Sequence, residues 1–131
     1  MIEESFVSFD TASMLREAGF DEPCRFFYSP FKNIIRKTYK RNSDLVKGFY
    51  SRPTQALAAR WLREVHDTFV KMERVGSFDG KEFRFYWSFS IISVSTACLK
   101  SISGGRYDGY EEALEVGIVQ VLERIIEETK E

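Results

Sequence analysis

Residues able to do nucleophilic, acid–base or metal chemistry are few in this chain. His66 is the only histidine, and Cys24 and Cys98 are the only cysteines. The pair His66-Asp67 is typical of metal phosphohydrolases, but such sites need several further ligands, and no second histidine exists to supply one. The cysteines lack Cys-x-x-Cys spacing, and we expect buried free thiols. The sequence predicts no metal site and no catalytic residue, with a Cys–His nucleophile pair as a minor alternative.

Paired carboxylates and a glycine-containing loop are the remaining chemical candidates. The pairs Glu111-Glu112 and Glu127-Glu128 fall on a helix whose other face is apolar, so we expect a solvated acidic face. Exposed neighbouring carboxylates do not supply the burial that raises a pKa for general acid catalysis. The loop 103–105 (Ser-Gly-Gly) lacks the Gly-Lys-Ser/Thr that completes a phosphate-binding loop. We therefore predict a protein that is not an enzyme and needs no cofactor.

A basic stretch carries the strongest functional signal. Between Phe31 and Arg41 five cations are interleaved with the rings of Phe31 and Tyr39, and these cations are Lys32, Arg36, Lys37, Lys40 and Arg41. Such a pattern can pair with phosphates while rings stack on bases, which predicts a nucleic-acid-binding accessory role. The stretch lacks a recognised nucleic-acid motif, however, and the apolar pair Ile34-Ile35 favours burial. A solvated edge, or a patch that docks on an acidic protein surface, is the favoured interpretation.

Opposite charges are segregated along a chain whose formal net charge is only −1. Residues 25–47 contain seven cations and one acid, a net charge of +6, whereas residues 108–131 contain two cations and eight acids, a net charge of −6. Exposed rims of opposite sign on a small protein favour head-to-tail or isologous self-association. We therefore expect a protein partner or a second copy of the chain, including a homodimer, as the main binding partner.

Length and composition indicate an ordered globular protein. The chain has 131 residues, of which 44% are hydrophobic, with 12 Phe, 6 Tyr and 2 Trp. This length can hold one core without metal or disulfide support, so we predict a single domain over 1–131. No stretch approaches the roughly 20 apolar residues of a membrane helix, so no membrane partner is expected. The acidic opening Met1-Ile-Glu-Glu does not resemble a secretory signal, and a cytoplasmic location is expected.

Three helices are predicted to position these residues, over 8–19, 54–66 and 110–128. Ser8 or Asp10 can cap the first helix, and Gly19 suits the left-handed residue that ends it. Pro53 fits the start of the second helix, where its missing N–H would be unpaired anyway. In the third helix, Ala113 and Gly117 form a small notch where a helix can approach a sheet closely.

Strands are predicted over Cys24–Tyr28, Leu45–Tyr50, Thr68–Val75 and Glu82–Ile91. The dipeptide Asp79-Gly80 predicts a hairpin between the last two strands. The stretch 30–42 is ambiguous between helix and strand, and we expect one short element there. The assembly is α+β, with a small antiparallel or mixed sheet of three to five strands and the three helices packed on it.

The strand that ends at Ile91 alternates rings with polar residues. The odd-numbered apolar residues are Phe83, Phe85, Trp87, Phe89 and Ile91, and they predict the sheet side of the core, covered by the second and third helices. After Ile91 the apolar positions become even-numbered, which a regular strand cannot accommodate without turning its apolar face to water. We therefore expect a bulge or tight turn near Ile91–Ser93, or alternatively a short helix over Val94–Leu99.

Three sequence blocks in a fixed order carry a resemblance to a known family. They are Ser8-Phe-Asp-Thr-Ala12 with Leu15-Arg-Glu-Ala-Gly-Phe-Asp-Glu-Pro-Cys24, Arg52-Pro-Thr-Gln-Ala-Leu-Ala58 with Trp61-Leu-Arg-Glu64, and Tyr110-Glu-Glu-Ala-Leu-Glu-Val-Gly117. Together they resemble a family of small proteins of gut anaerobes, their prophages and related phages, in a likeness that skips residues 30–44 and 92–106. The resemblance implies a phage or mobile-element context and a helix–sheet–helix body. It implies no activity and no functional residue.

Overall fold

The computed structural model describes residues 2–95 and 98–130, except for the side chains of residues 37, 38, 94, 95 and 98–103. Its helices are α1 (Phe9–Glu17), α2 (Gln55–His66) and α3 (Tyr110–Thr129). Its strands are β1 (Cys24–Tyr28), β2 (Ile34–Lys40), β3 (Tyr50–Ser51), β4 (Thr68–Phe78), β5 (Phe83–Ser95) and β6 (Cys98–Ser103). The described residues form two antiparallel three-stranded sheets. The predicted α+β class is confirmed, with two small sheets where one was expected.

The chain divides into two compact units. Unit 1 comprises Met1–Ala58 with Leu122–Glu131, and unit 2 comprises Ala59–Val121. Helices α2 and α3 each contribute residues to both units. The prediction of one domain over 1–131 stays a prediction.

Local capping residues define the helix that opens unit 1. The Ser8 hydroxyl accepts a hydrogen bond from the backbone N–H of Thr11, which satisfies one of the unpaired donors at the start of α1. Gly19 has a left-handed backbone (φ +98°), and the N–H of Phe20 donates to the carbonyl of Leu15. All three predicted helices are confirmed, and their ends lie within two residues of those predicted.

The sheet of unit 1 has the strand order β2–β1–β3. In β1, Phe27 and Tyr28 pair with β2 on one side and with β3 on the other. The ambiguous stretch 30–42 contains strand β2, and a 3₁₀ turn at Asn42–Asp44 follows it. At the amino terminus, Phe6 forms an isolated bridge with Thr54, and the N–H of Val7 donates to Pro53 O. The amino-terminal segment therefore lies beside the connection between β3 and α2.

The strand predicted over Leu45–Tyr50 is wrong, because only Tyr50 and Ser51 pair in the sheet. Gly48 has a left-handed backbone (φ +94°), and the N–H of Phe49 donates to the carbonyl of Val46 to close a turn. The Arg16 guanidinium donates to three carbonyls of this loop, those of Leu45, Val46 and Phe49. These carbonyls converge on a side chain of α1, so they do not point along a strand ladder.

In unit 2, a long hairpin of β4 and β5 lies beside β6. The predicted turn is confirmed: Asp79 Oδ1 accepts the N–H groups of Lys81 and Glu82, and Gly80 is left-handed (φ +96°). The notch at Gly117 is also confirmed. A Cβ placed on Gly117 would lie 2.6 Å from Val70 Cγ1 and 3.3 Å from Phe89 Cδ2, so α3 lies directly on the sheet at this point.

The bulge predicted near Ile91–Ser93 is wrong. The β4–β5 register is regular from Thr68 opposite Ser93 to Phe78 opposite Phe83. The alternative helix over Val94–Leu99 is also wrong, since β5 continues to Ser95 and β6 begins at Cys98. The apolar phase change is accommodated on the second face of the sheet, where Ile92 lies opposite Phe69 and Phe69 stays 42% exposed.

Candidate functional site

The predicted basic residues lie together along one edge of the unit 1 sheet. Lys32 is in the β1–β2 turn, Arg36, Lys37 and Lys40 are in β2, and Arg41 follows the strand. Among the described residues, β2 pairs only with β1, so its other edge is not covered by a strand. The side chain of Lys37 lies outside the described part of the structure.

The basic edge is not neutralised by nearby acids. Among the described side chains, no carboxylate lies within 4 Å of the charged group of Lys32, Arg36, Lys40 or Arg41. Residues 24–52 contain eight cations and one acid, a net charge of +7. That acid, Asp44, accepts the backbone N–H of Arg41 at 3.0 Å. The edge therefore presents a positive surface to solvent.

Cations and aromatic rings alternate across this sheet. Lys32 Nζ lies 5.4 Å from the centre of the Phe9 ring, and the Arg36 guanidinium lies 5.8 Å from the Phe26 ring. These distances are within the roughly 6 Å reach of a cation–π interaction. Arg25 is placed in the same way, 5.5 Å from the Tyr39 ring. We call Arg25, Lys32, Arg36 and Arg52 with the rings they contact the cation–ring belt.

Arg52 is the member of the cation–ring belt that sequence reasoning missed. Its guanidinium lies 4.0 Å from the centre of the Phe6 ring, 5.6 Å from Tyr28 and 5.9 Å from Phe26. Its Nε donates to the Tyr28 hydroxyl at 3.1 Å, and that hydroxyl donates to the Val7 carbonyl at 2.7 Å. One hydrogen bond and three rings thus hold the guanidinium in place. The only sequence signal was an arginine placed directly before Pro53, two residues ahead of the first residue of α2.

A pocket of about 190 Å³ lies next to Arg52. Its charged and aromatic lining consists of Glu4, Phe6, Arg25, Phe26, Tyr39 and Arg52. Glu4 is the one acid among them. The pocket therefore combines two guanidinium groups with aromatic walls, which suits an anionic ligand.

The thiol of Cys24 lines the same pocket but is not a nucleophile at neutral pH. Burial, and to a smaller extent the charge of Glu22, raise its pKa to about 11, although the Ser51 hydroxyl offsets part of the rise. Because the thiolate is the reactive form, a protonated thiol is inert. The prediction of a buried free thiol is confirmed for Cys24. The Cys98 side chain lies outside the described residues.

The other candidate chemical groups are dispersed. His66 is the last residue of α2, as predicted, and its ring centre lies 4.8 Å from that of Trp61. Within 2–95 and 98–130, no group of three His, Cys, Asp or Glu side chains is arranged to hold a metal ion. Glu111 and Glu112 are exposed in the first turn of α3, and Glu127 and Glu128 are exposed near its end, which confirms a solvated acidic face.

Unit 2 carries an exposed row of phenylalanines on one face of the β4–β5 hairpin. Phe83 lies opposite Phe78, and Phe85 lies opposite Gly76, so the three rings share that face. The ring centres are 5.0 Å apart for Phe78 and Phe83, and 6.5 Å apart for Phe83 and Phe85. The three side chains are 59%, 68% and 60% exposed, in chain order. We call Phe78, Phe83 and Phe85 the phenylalanine row.

The phenylalanine row corrects the prediction that helices cover all the rings of β5. Phe89 and Ile91 are fully buried, and Trp87 is half-buried with its ring centre 5.0 Å from that of Tyr110. Toward the tip of the hairpin, the rings of Phe83 and Phe85 are exposed to solvent. Arg74 lies between the two regions, 4.9 Å from the Trp87 ring and 5.7 Å from the Phe85 ring.

Comparisons with known proteins give no assignment: no family model, no curated protein and no solved structure matches this chain. The resemblance to a family of phage and gut-anaerobe proteins stays a prediction. Among the described helices, none is long and apolar enough to cross a membrane. A proposal for function therefore depends on the two surfaces described above.

Proposed function

We propose that this chain is a non-enzymatic binding protein whose unit 1 sheet takes up single-stranded nucleic acid. The observation that carries the proposal is the cation–ring belt, in which each cation rests on a ring and none of the described ones is paired with a carboxylate. The sequence favoured an acidic protein surface as the partner. A single strand needs cations for its phosphates and aromatic rings for its bases, and this sheet presents both side by side. The arrangement therefore favours nucleic acid over an acidic protein surface.

The exposed rings favour a single strand over a duplex. Phe31 is 85% exposed and Tyr39 is 66% exposed, so both can stack on an unpaired base. In a duplex the bases are stacked on each other, and a protein needs a helix or ribbon that fits a groove. The basic edge instead belongs to a short strand at the border of a sheet. Phosphates can follow this edge from Lys32 to Arg41.

Salt dependence of binding provides the test. If the described cations Lys32, Arg36, Lys40 and Arg41 neutralise four phosphates, log K should fall with log salt at a slope of about −2.8, using about −0.7 per phosphate for single strands. Affinity for a fluorescent oligonucleotide should then drop about 50-fold between about 50 and about 200 mM salt. Fluorescence anisotropy measures this directly.

A paired variant locates the contact. Arg36→Gln with Lys40→Gln should flatten the slope by about 1.4. Arg60→Gln with Lys71→Gln is the matched control, because it removes the same charge from unit 2. We expect the control to leave the slope unchanged. No binding at about 50 mM salt, or an equal effect of both double variants, would contradict the proposal.

Self-association through the phenylalanine row is a second candidate, because exposed apolar patches mark interaction surfaces. If two rows pack antiparallel, the rings of one copy cover those of the other. Arg74 then meets the hairpin tip of the second copy, where Asp79 and Glu82 each lie 3.5 Å from Arg84. In the described structure no carboxylate lies within 4 Å of the Arg74 guanidinium. Such a contact is isologous and closes at a dimer.

Sedimentation velocity over a range of protein concentrations measures this association. Wild-type protein should shift from monomer to dimer as concentration rises, and Phe83→Ser with Phe85→Ser should remain monomeric. Phe31→Ser is the matched control, since it removes an exposed phenylalanine from unit 1. A monomer at every concentration, or equal loss of the dimer in Phe31→Ser, would refute this candidate.

A further inference from the structure

We infer that the pocket at Arg52 holds the terminal phosphate of the bound strand, which makes it an end-recognition site. This inference rests on the proposed nucleic-acid function and assigns to one pocket a role distinct from that of the basic edge. The edge can contact phosphates anywhere along a strand. The pocket has the size, donor geometry and charge for a phosphate at a chain end.

The Arg52 guanidinium supplies the hydrogen-bond donors of this pocket. Arg52 uses Nε on the Tyr28 hydroxyl, and its two Nη groups have no protein acceptor among the described contacts. The Phe6 ring, with its centre 4.0 Å from the guanidinium, holds the group from a second side. A guanidinium whose Nη donors are not used by the described protein groups can bind two oxygens of one phosphate at once. A lysine at this position would retain the charge and lose this two-point contact.

The size of the pocket permits a phosphate. Its volume is about 190 Å³, and the guanidinium groups of Arg25 and Arg52 line it. Charge then decides between a terminal and an internal phosphate.

Charge favours the terminal group over an internal one. A phosphomonoester has a second pKa near 6 and carries about −1.5 to −2 at neutral pH, whereas a phosphodiester carries one negative charge. Arg25 lines the same pocket, so two guanidinium groups are available against one carboxylate, that of Glu4. Two cations match a dianion better than a monoanion.

The test compares two oligonucleotides of one sequence, one with a 5′-phosphate and one with a 5′-hydroxyl, with a 3′-phosphate version as a third arm. We expect wild-type protein to bind one phosphorylated end about tenfold tighter than the hydroxyl end, as expected for charged hydrogen bonds. Arg52→Lys should remove this preference, so that the phosphorylated and hydroxyl oligonucleotides bind this variant with equal affinity. Arg41→Lys is the matched control, because it makes the same change outside the pocket, and it should keep the preference.

Two further measurements separate the outcomes. Arg25→Lys alters an exposed side chain, so a reduced preference in that variant cannot come from misfolding of the Arg52 site. If wild-type protein binds all three oligonucleotides equally, end recognition is wrong while the nucleic-acid function stands. If no oligonucleotide binds, both fail. If nucleoside monophosphate displaces the phosphorylated strand at an equal affinity, the ligand is a free nucleotide and the strand-end assignment is overturned.

Discussion

Replacing Gly117 by alanine sets two known effects against each other. Alanine in a helix interior is favoured over glycine by about 1 kcal/mol, which would stabilise α3. The added Cβ, however, would lie 2.6 Å from Val70 Cγ1 and 3.3 Å from Phe89 Cδ2. Carbon atoms prefer separations of about 3.5–4.0 Å, so the helix and sheet must separate by close to 1 Å. Overpacking of this kind costs about 1–3 kcal/mol.

The residues around Gly117 make the cost of overpacking larger than the gain in helix propensity. Phe89 is fully buried, and Val70 lies in β4, which is paired along its whole length with β5. Phe89 has no open space to move into, and Val70 is half-buried with a β-branched side chain that has few alternative rotamers. We therefore take the upper end of the overpacking range and expect Gly117→Ala to lower the free energy of unfolding by about 2 kcal/mol.

Urea denaturation followed by circular dichroism gives this free energy, and a double-mutant cycle assigns its cause. Val70→Ala removes the methyl group that the new Cβ would meet. The double variant Val70→Ala with Gly117→Ala should therefore lose about 1–2 kcal/mol less than the sum of the single variants. A stabilised Gly117→Ala protein, or strictly additive single effects, would show that α3 does not approach the sheet this closely.

Three other outcomes follow from contacts in unit 1. The free energy of unfolding should fall as pH rises from 9.0 to about 11, because folding raises the pKa of the Cys24 thiol and the thiol therefore ionises first in the unfolded chain. Denaturation measured across this pH range should show that Cys24→Ala lacks this fall. Asn42→Ala should cost about 2–4 kcal/mol by urea denaturation, since its buried amide joins Phe20 O and Ser51 N, whereas exposed Asn33→Ala should cost little. Arg16→Gln should speed tryptic cleavage after Lys47, because it releases the carbonyls of Leu45 and Val46, and Arg60→Gln should not.

The helices could be predicted from the sequence because their ends are set by neighbouring residues. Ser8 and Gly19 act on backbone groups at most a few positions away, and the structure has both in those roles. The 45–50 loop could not be predicted in this way. Its shape depends on Arg16, about thirty residues earlier, whose guanidinium gathers carbonyls that a strand would need.

Alternation in β5 predicted which side chains share a face but not where that face is covered. Strand β4 has 11 residues and spans about 37 Å, whereas the part of α3 in unit 2, residues 110–121, spans about 18 Å. A helix of that length cannot cover the whole strand pair. Phe89 beside Gly117 is buried, and Phe83 near the tip is exposed.

In the candidate site too, features set by neighbouring residues could be predicted, whereas contacts between distant segments could not. The five cations between Lys32 and Arg41 were visible as a run in the sequence. Arg52 was not, because its setting is made by rings from separate segments, Phe6 before α1 and Tyr28 in β1. A pattern in one stretch can therefore predict a basic edge. A guanidinium held between distant rings becomes visible only when the sheet places those segments together.

Net charge is informative only over the distance at which charges act. The chain as a whole carries −1, which predicts no long-range attraction to nucleic acid. At physiological salt, however, charges are screened beyond about 8 Å, so a ligand on the unit 1 sheet interacts with the cations of that sheet and little else. Residues 24–52 carry a net charge of +7. A near-neutral protein with such a surface should bind an anionic strand through short-range contacts, with modest association rates and strong dependence on salt.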